Sequence, residues 1–333
     1  MIPEATSYTT DKGIRVVRTV EEVPVEGAID EIVDALDSRR GALFASSFEY
    51  PGRYTRWDVG FVDPLLELAC RGRQVAITAL NRRGRQLLPV LAEVLDGLPE
   101  LVSTELRGER LNGVVPEPQH RFTEEERSHQ PSVFSVIRAL TGLFASEADP
   151  HLGLYGAFGY DLAFQFEPVR TRLERPPDQR DLVLYLPDEI VVVDHQRHRA
   201  SRRRYELEAG VRSTRGLPRE GDSTPYVGVT TVDRHCDHGP GEYAAGVLVA
   251  KEAFGRGDLF EVVPGQTFFE PCPVPPSELF RRLRERNPAP YGFIINLGRS
   301  DHLVGASPEM YVRVDGPRVE TCPISGTIAC RST

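Results

Sequence analysis

The sequence contains no apolar run approaching the ~20 residues that a helix needs to cross a bilayer. Its N-terminus, MIPEATSYTTDKGIRVV, lacks a charged stretch followed by an apolar core, so it shows no signal-peptide pattern. Cysteine is scarce. Cys70, Cys236, Cys272, Cys322 and Cys330 are scattered without C-x-x-C spacing, and an odd, dispersed set argues for a reducing compartment rather than a disulfide framework. Excess positive charge is also missing: the formal net charge of -9 excludes a basic nucleic-acid footprint. There is no internal repeat. The GRGD string at 255–258 lacks the helix-opening Lys-Ser/Thr of a phosphate loop. Together these absences predict a soluble cytoplasmic protein with neither nucleic acid nor membrane as a partner.

What is present is a globular composition, 40% hydrophobic and 27% charged. Strands are expected at 14–24 (IRVVRTVEEVP) and 41–48 (GALFASSF), with a helix between them at 29–38. More strand-like sequence follows in VGFVDPLLELAC and RQVAITAL, before leucines and valines at helical spacing over 86–98. Residues 108–131 carry prolines and charge without a sustained period and read as a surface loop. Ser132 is placed to cap a helix at 132–146. Strands then follow at 152–161, 182–194 (two, or one broken at Pro187) and 198–208, with a second loop at 212–226. From 240 the texture changes: an amphipathic helix at 241–256, a strand in 257–270, and a helix from Ser277 that Pro288 stops. YGFIINLG, HLVGASPEMYVRV and PRVETCPISGTI are three further strand candidates. Strands grouped between single helices predict an α+β fold.

Four strings in the last part of the chain are more specific: DLFEVVPGQTF (258–268), NPAPYGFI (287–294), LVGASPEM (303–310) and ETCPISGTI (320–328). With YGAFGYDL (155–162) and SSFEYPGRYTRWD (46–58), their order and spacing resemble the chorismate-utilising enzymes. The closest resemblance is to the large subunit (component I) of anthranilate synthase, in the form fused to a glutamine amidotransferase. This resemblance implies antiparallel sheets packed face to face with flanking helices. It also implies a lyase reaction in which ammonia replaces a hydroxyl of chorismate and pyruvate is eliminated, leaving anthranilate on the route to tryptophan. Mg²⁺ binds the substrate carboxylate in the full-length family, and an amidotransferase domain or subunit supplies the ammonia. A homodimer is compatible with the resemblance.

On residue chemistry alone, Glu309 in GASPE reads as a solvated strand-end acid or as a proton acceptor for an incoming amine. The resemblance favours the second. Gly326 and Thr327 in PISGTI offer a close backbone N–H and a hydroxyl for a carboxylate or ring oxygen, with a plain turn as the alternative. Glu261 stands where water-using relatives carry a lysine base, which favours an ammonia-using member. The effector pattern places tryptophan beside Ser46, Arg56, Pro290, Tyr291 and Gly292. Ala45 stands in it for the usual Glu, and Gly292 for a common Met. His235, Cys236, Asp237 and His238 are adjacent in an extended stretch and do not converge easily on one tetrahedral ion. No metal site is expected.

The pattern breaks at ACRST, where Cys330 replaces an expected arginine. The family's magnesium ligands, catalytic histidine and chorismate-gripping residues all lie beyond PISGT. The expectation is therefore a chain truncated before its catalytic part, inactive alone and without Mg²⁺. Residues 1–225 form the effector-binding region and 226–333 the start of the chorismate-binding domain. Sheet edges and apolar faces should stand uncovered around 290–328. Two other readings remain: an aminodeoxychorismate or aminodeoxyisochorismate synthase fragment, and a non-catalytic tryptophan-binding module.

Overall fold

The computed structural model describes residues 4–47, 57–118, 122–123, 125–167, 169 and 174–324. The strands are β1 (Glu4–Thr9), β2 (Arg15–Val23), β3 (Gly41–Ala45), β4 (Trp57–Val62), β5 (Leu66–Arg71), β6 (Gln74–Ala79), β7 (Ser103–Arg107) and β8 (Arg110–Val114). Then follow β9 (Tyr155–Phe158), β10 (Leu182–Leu186), β11 (Glu189–Asp194), β12 (Arg199–Ala209) and β13 (Arg212–Ser213). The last four are β14 (Tyr291–Asn296), β15 (His302–Ser307), β16 (Met310–Asp315) and β17 (Arg318–Cys322). The α-helices are α1 (Asp30–Ala35), α2 (Arg82–Asp96), α3 (Val133–Phe144), α4 (Glu242–Arg256) and α5 (Pro276–Arg286).

Two compact units emerge: Met1–Pro225 together with Pro276–Thr333, and Tyr226–Pro275. The first contains two large antiparallel sheets. One has nine strands, ordered β1-β2-β12-β11-β4-β3-β14-β15 with β13 beside β12; the other has six, ordered β7-β8-β6-β5-β10-β9.

Side-chain alternation explains their stacking. In β10, Leu182, Leu184 and Leu186 turn to a cluster with Leu87, Leu91 and Leu95 of α2 and Val136 and Leu140 of α3. Val183 and Tyr185 turn the other way, onto Ala42, Phe61 and Ile295 of the nine-stranded sheet. The far face of that sheet, carrying Leu43, Val191, Val193 and Ile294, is covered by Ile32 and Val33 of α1 and Phe280 of α5. The result is helices, six strands, nine strands and helices in four layers. This confirms the α+β class with face-to-face antiparallel sheets.

α2 starts where Asn81 Oδ1 accepts the N–H groups of Arg83 and Gly84, both at 3.0 Å. Gly84 lets the helix touch the strand connection: a Cβ there would sit 2.0 Å from the Leu65 carbonyl oxygen. Because backbone cannot yield as a side chain can, Gly84→Ala should cost about 3 kcal/mol, at the upper end of overpacking penalties. A urea midpoint equal to that of the parent would refute this tight approach.

Several elements differ from expectation. The 108–131 segment is not all loop, because Arg110–Val114 forms β8 and pairs with β7 and β6. HLVGASPEMYVRV is two strands separated at Pro308. Ser132 occupies the cap position of α3, but its side chain makes no cap hydrogen bond. Residues 257–270 are not a strand. Only Phe268 forms a bridge there, with Cys236, because β-branched content cannot make a ladder without a neighbouring strand. Pro276 onward belongs with Met1–Pro225, since β14 hydrogen-bonds to β3.

In the Tyr226–Pro275 unit, no residue of α4 is buried. Its apolar residues Leu248, Val249 and Phe254 are exposed, as are Phe260 and Val263 beyond it. Among the described residues, β15 ends the nine-stranded sheet and β16 pairs only with β17. Tyr311, Val312, Val314 and Val319 of that hairpin are exposed. Exposed apolar side chains thus occur within 290–328, where they were expected, and also over 248–263, where they were not. Among the described residues, no helix is long and apolar enough to cross a membrane.

Candidate functional site

The expected effector residues converge. β14 runs antiparallel to β3, with Gly292 opposite Ala45 and Phe293 opposite Phe44. Just beyond the ladder, Ser47 N–H donates to the Ala289 carbonyl at 3.0 Å. Ser47 Oγ lies 3.2 Å from both the carbonyl oxygen and the amide nitrogen of Ala289, 242 positions away in sequence. Ser46 and Pro290 are buried, and Tyr291 and Gly292 half-buried. Arg56 lies outside the described residues. Ser46, Pro290, Tyr291 and Gly292 therefore share one corner of the nine-stranded sheet.

Small residues line that corner. β15 continues the row, with Ala306 opposite Gly292. A Cβ on Gly292 would meet the Ala45 carbonyl oxygen at 3.1 Å and the Phe280 ring at 3.9 Å. Between this row and α5 is a cavity of about 10 Å³, lined by residues including Ala45, Ser47, Phe280, Arg284 and Gly292. That is room for about one water, so α5 already fills the space above the glycine.

Beside that corner lie three residues that sequence reasoning did not single out: Asp58 on β4, His195 just after β11 and Arg284 on α5. Asp58 is 1% exposed. Its Oδ1 accepts the Ser46 N–H at 2.8 Å and lies 3.0 Å from His195 Nε2. Its Oδ2 lies 3.8 Å from Arg284 Nη2. The one available signal was an acid at alternate spacing in the apolar strand WDVGFV, where an inward-facing carboxylate needs a partner.

The catalytic candidates are placed less completely. Glu309 is exposed between β15 and β16, and its N–H donates to Ser307 Oγ at 3.1 Å. Gly326 and Thr327 lie outside the described residues, as does Cys330. Glu261 is exposed on the extended segment after α4. In the 235–238 cluster, the His238 ring and the Thr267 N–H hold Asp237 down to about 2. Cys236 Sγ is turned to the His238 carbonyl at 2.9 Å. No group of three or more His, Cys, Asp or Glu side chains among the described residues could hold a metal ion.

A two-sheet α+β scaffold whose β3 and β14 bring the serine strand to the Asn-Pro-Ala-Pro-Tyr turn is the architecture expected for chorismate enzymes. The chain belongs to the chorismate binding enzyme family, whose profile matches residues 101–333. It is 54% identical to an anthranilate synthase of Azospirillum brasilense over 326 residues, covering 98% of this chain and 44% of that protein. It is 30% identical to anthranilate synthase component 1 of Serratia marcescens over 312 residues, 87% of this chain and 58% of the relative. Identity to the pyocyanine-specific component 1 of Pseudomonas aeruginosa is also 30%, over 294 residues, 84% of this chain and 54% of the relative. The chain spans about half the length of the curated relatives it matches.

Proposed function

We propose that this chain carries the effector-binding half and part of the chorismate site of an anthranilate synthase, which converts chorismate and ammonia to anthranilate and pyruvate. The observation that carries this reading is the likeness to the Azospirillum brasilense protein across 98% of the chain. Glu309 is the proton acceptor for the incoming amine, and the Gly326 N–H and Thr327 hydroxyl receive a carboxylate or ring oxygen of the substrate. Glu261, an acid where a water-activating base would need a lysine, supports ammonia as the nucleophile. The ammonia comes from a glutamine amidotransferase domain or subunit. Tryptophan, the end product, binds as effector beside Ser46, Arg56, Pro290, Tyr291 and Gly292. The described residues provide no donor set for Mg²⁺, so no step here is routed through it.

Product identity separates this reading from the aminodeoxychorismate alternatives. A form of the protein extended to the length of its relatives should release pyruvate and fluorescent anthranilate in equal amounts from chorismate and ammonium. An amino product that retains its enolpyruvyl group, with no pyruvate, would overturn it.

A further inference from the structure

We propose that Asp58 is the positioning residue of the effector corner: its buried carboxylate holds the end of β3 to α5 and to the segment leaving β11. The regulatory part of this proposal rests on the reading that tryptophan binds beside Ser46 and Tyr291. The lock itself stands on geometry.

The β3–β4 ladder ends where Phe44 faces Val59, so Ser46 lies beyond the last rung. Its N–H donates there to Asp58 Oδ1 at 2.8 Å. The ladder register sets Asp58 beside Val193 on β11 and, continued by one pair, beside Ala45 on β3. A carboxylate in that apolar setting is costly unless matched by donors and opposite charge. His195, immediately after β11, and Arg284 on α5 provide the match, at 3.0 and 3.8 Å.

An apolar residue at 58 would pack against Val193 and Ala45 at least as well, because buried ion pairs add little net stability over hydrophobic packing. What only the acid provides is direction. It fixes the Ser46 amide and ties it to the helix whose Phe280 packs over Gly292. A ligand engaging Ser46 and the Pro290–Tyr291 turn therefore acts on α5 through Asp58, across three elements that are remote in sequence.

The test compares Asp58→Ala and Asp58→Asn with the parent 333-residue protein, using amide hydrogen exchange and calorimetric titration with L-tryptophan. A hydrogen bond to a charged acceptor corresponds to roughly a 10–100-fold change in an equilibrium. Asp58→Ala should speed Ser46 exchange at least about tenfold, while Ile77 in β6 keeps its parent rate. Asp58→Asn, which retains an acceptor oxygen, should restore most of the protection at Ser46. Tryptophan affinity should fall in the same order. Unchanged Ser46 exchange in Asp58→Ala, or Ser46 and Ile77 accelerating together, would overturn the lock. A parent protein that binds no tryptophan while Ser46 still responds to Asp58→Ala overturns the regulatory role alone and leaves the lock standing.

Discussion

Given chorismate, an ammonium salt and Mg²⁺, these 333 residues alone are expected to form no measurable anthranilate. Glu309 is exposed, and an acid in bulk water gains nothing from the water-excluded, preorganised surroundings that make charge stabilisation effective. Chorismate is a dianion, and an acidic protein needs local cations to retain it. The described residues gather no metal-holding group, and Leu248, Val249 and Phe254 of α4 and Tyr311, Val312, Val314 and Val319 of the β16–β17 hairpin are exposed. Losing one preorganised charge-stabilising donor costs ~10²–10³ in rate. Losing several together leaves turnover below detection, although such losses are not additive. The assay is anthranilate fluorescence, run beside a protein extended to the length of the relatives. Turnover by the 333-residue protein above the no-enzyme background would show that the catalytic residues have been misplaced.

The second large effect concerns stability. Arg83 is fully buried in the first turn of α2. It donates from Nε to Asp188, from Nη1 to Glu206 at 3.1 Å and to the carbonyls of Thr214 and Leu217 at 2.7 and 3.1 Å, and from Nη2 to the Tyr205 carbonyl at 2.7 Å. One guanidinium thereby ties α2 to the turn before β11, to β12 and to the chain after β13. Burial pushes the Asp188 carboxyl up, and Arg83 and Arg219 pull it back, leaving it at about 6. Arg83→Met removes the larger opposing charge and leaves three carbonyls without that donor. Breaking one partner of a buried pair costs about 3–5 kcal/mol, and that loss is expected here at pH 7.

The pH dependence has a definite sign. Without Arg83, the folded-state pKa of Asp188 rises further above its unfolded value, so the folded state binds the extra proton. The variant should therefore recover stability as pH falls from 7 toward 5. Replacing both residues, Arg83→Met with Asp188→Leu, should restore part of the loss. Urea unfolding midpoints at the two pH values measure all of this. A loss under about 1 kcal/mol at pH 7 would mean that the network is redundant.

Much of the fold was legible because its signals are local. The leucine spacing in 86–98 and the apolar spacing in 132–146 led to α2 and α3 within a few residues, and Pro288 marked the end of α5. LVLYLPDEIVVVD read as two strands, or as one broken at Pro187, and it forms two, β10 and β11. The same local reasoning failed at 257–270, where strand-forming residues have no ladder to join, and at β8, where Arg110 and Asn112 hide a short strand in polar sequence. α4 shows the limit from another side. Its helical period is real, yet no residue on it is buried.

By itself the sequence determined the class of elements through periodicity, which neighbouring residues carry, and the family through motif order; only the family's effector pattern led to the expectation that Ser46 and Tyr291 lie together, beside the observed pairing of Gly292 with Ala45. Only the tertiary structure decided that Pro276 onward completes the sheet begun by β1–β4, and that Asp58, His195 and Arg284 meet at the end of β3. The physical reason is the nature of sheet register. A strand's pattern shows which residues face inward, but which residue it meets there is set by pairing with strands hundreds of positions away. An inward-facing acid in WDVGFV is therefore an unexplained cost in the sequence and a matched charge only in the folded chain.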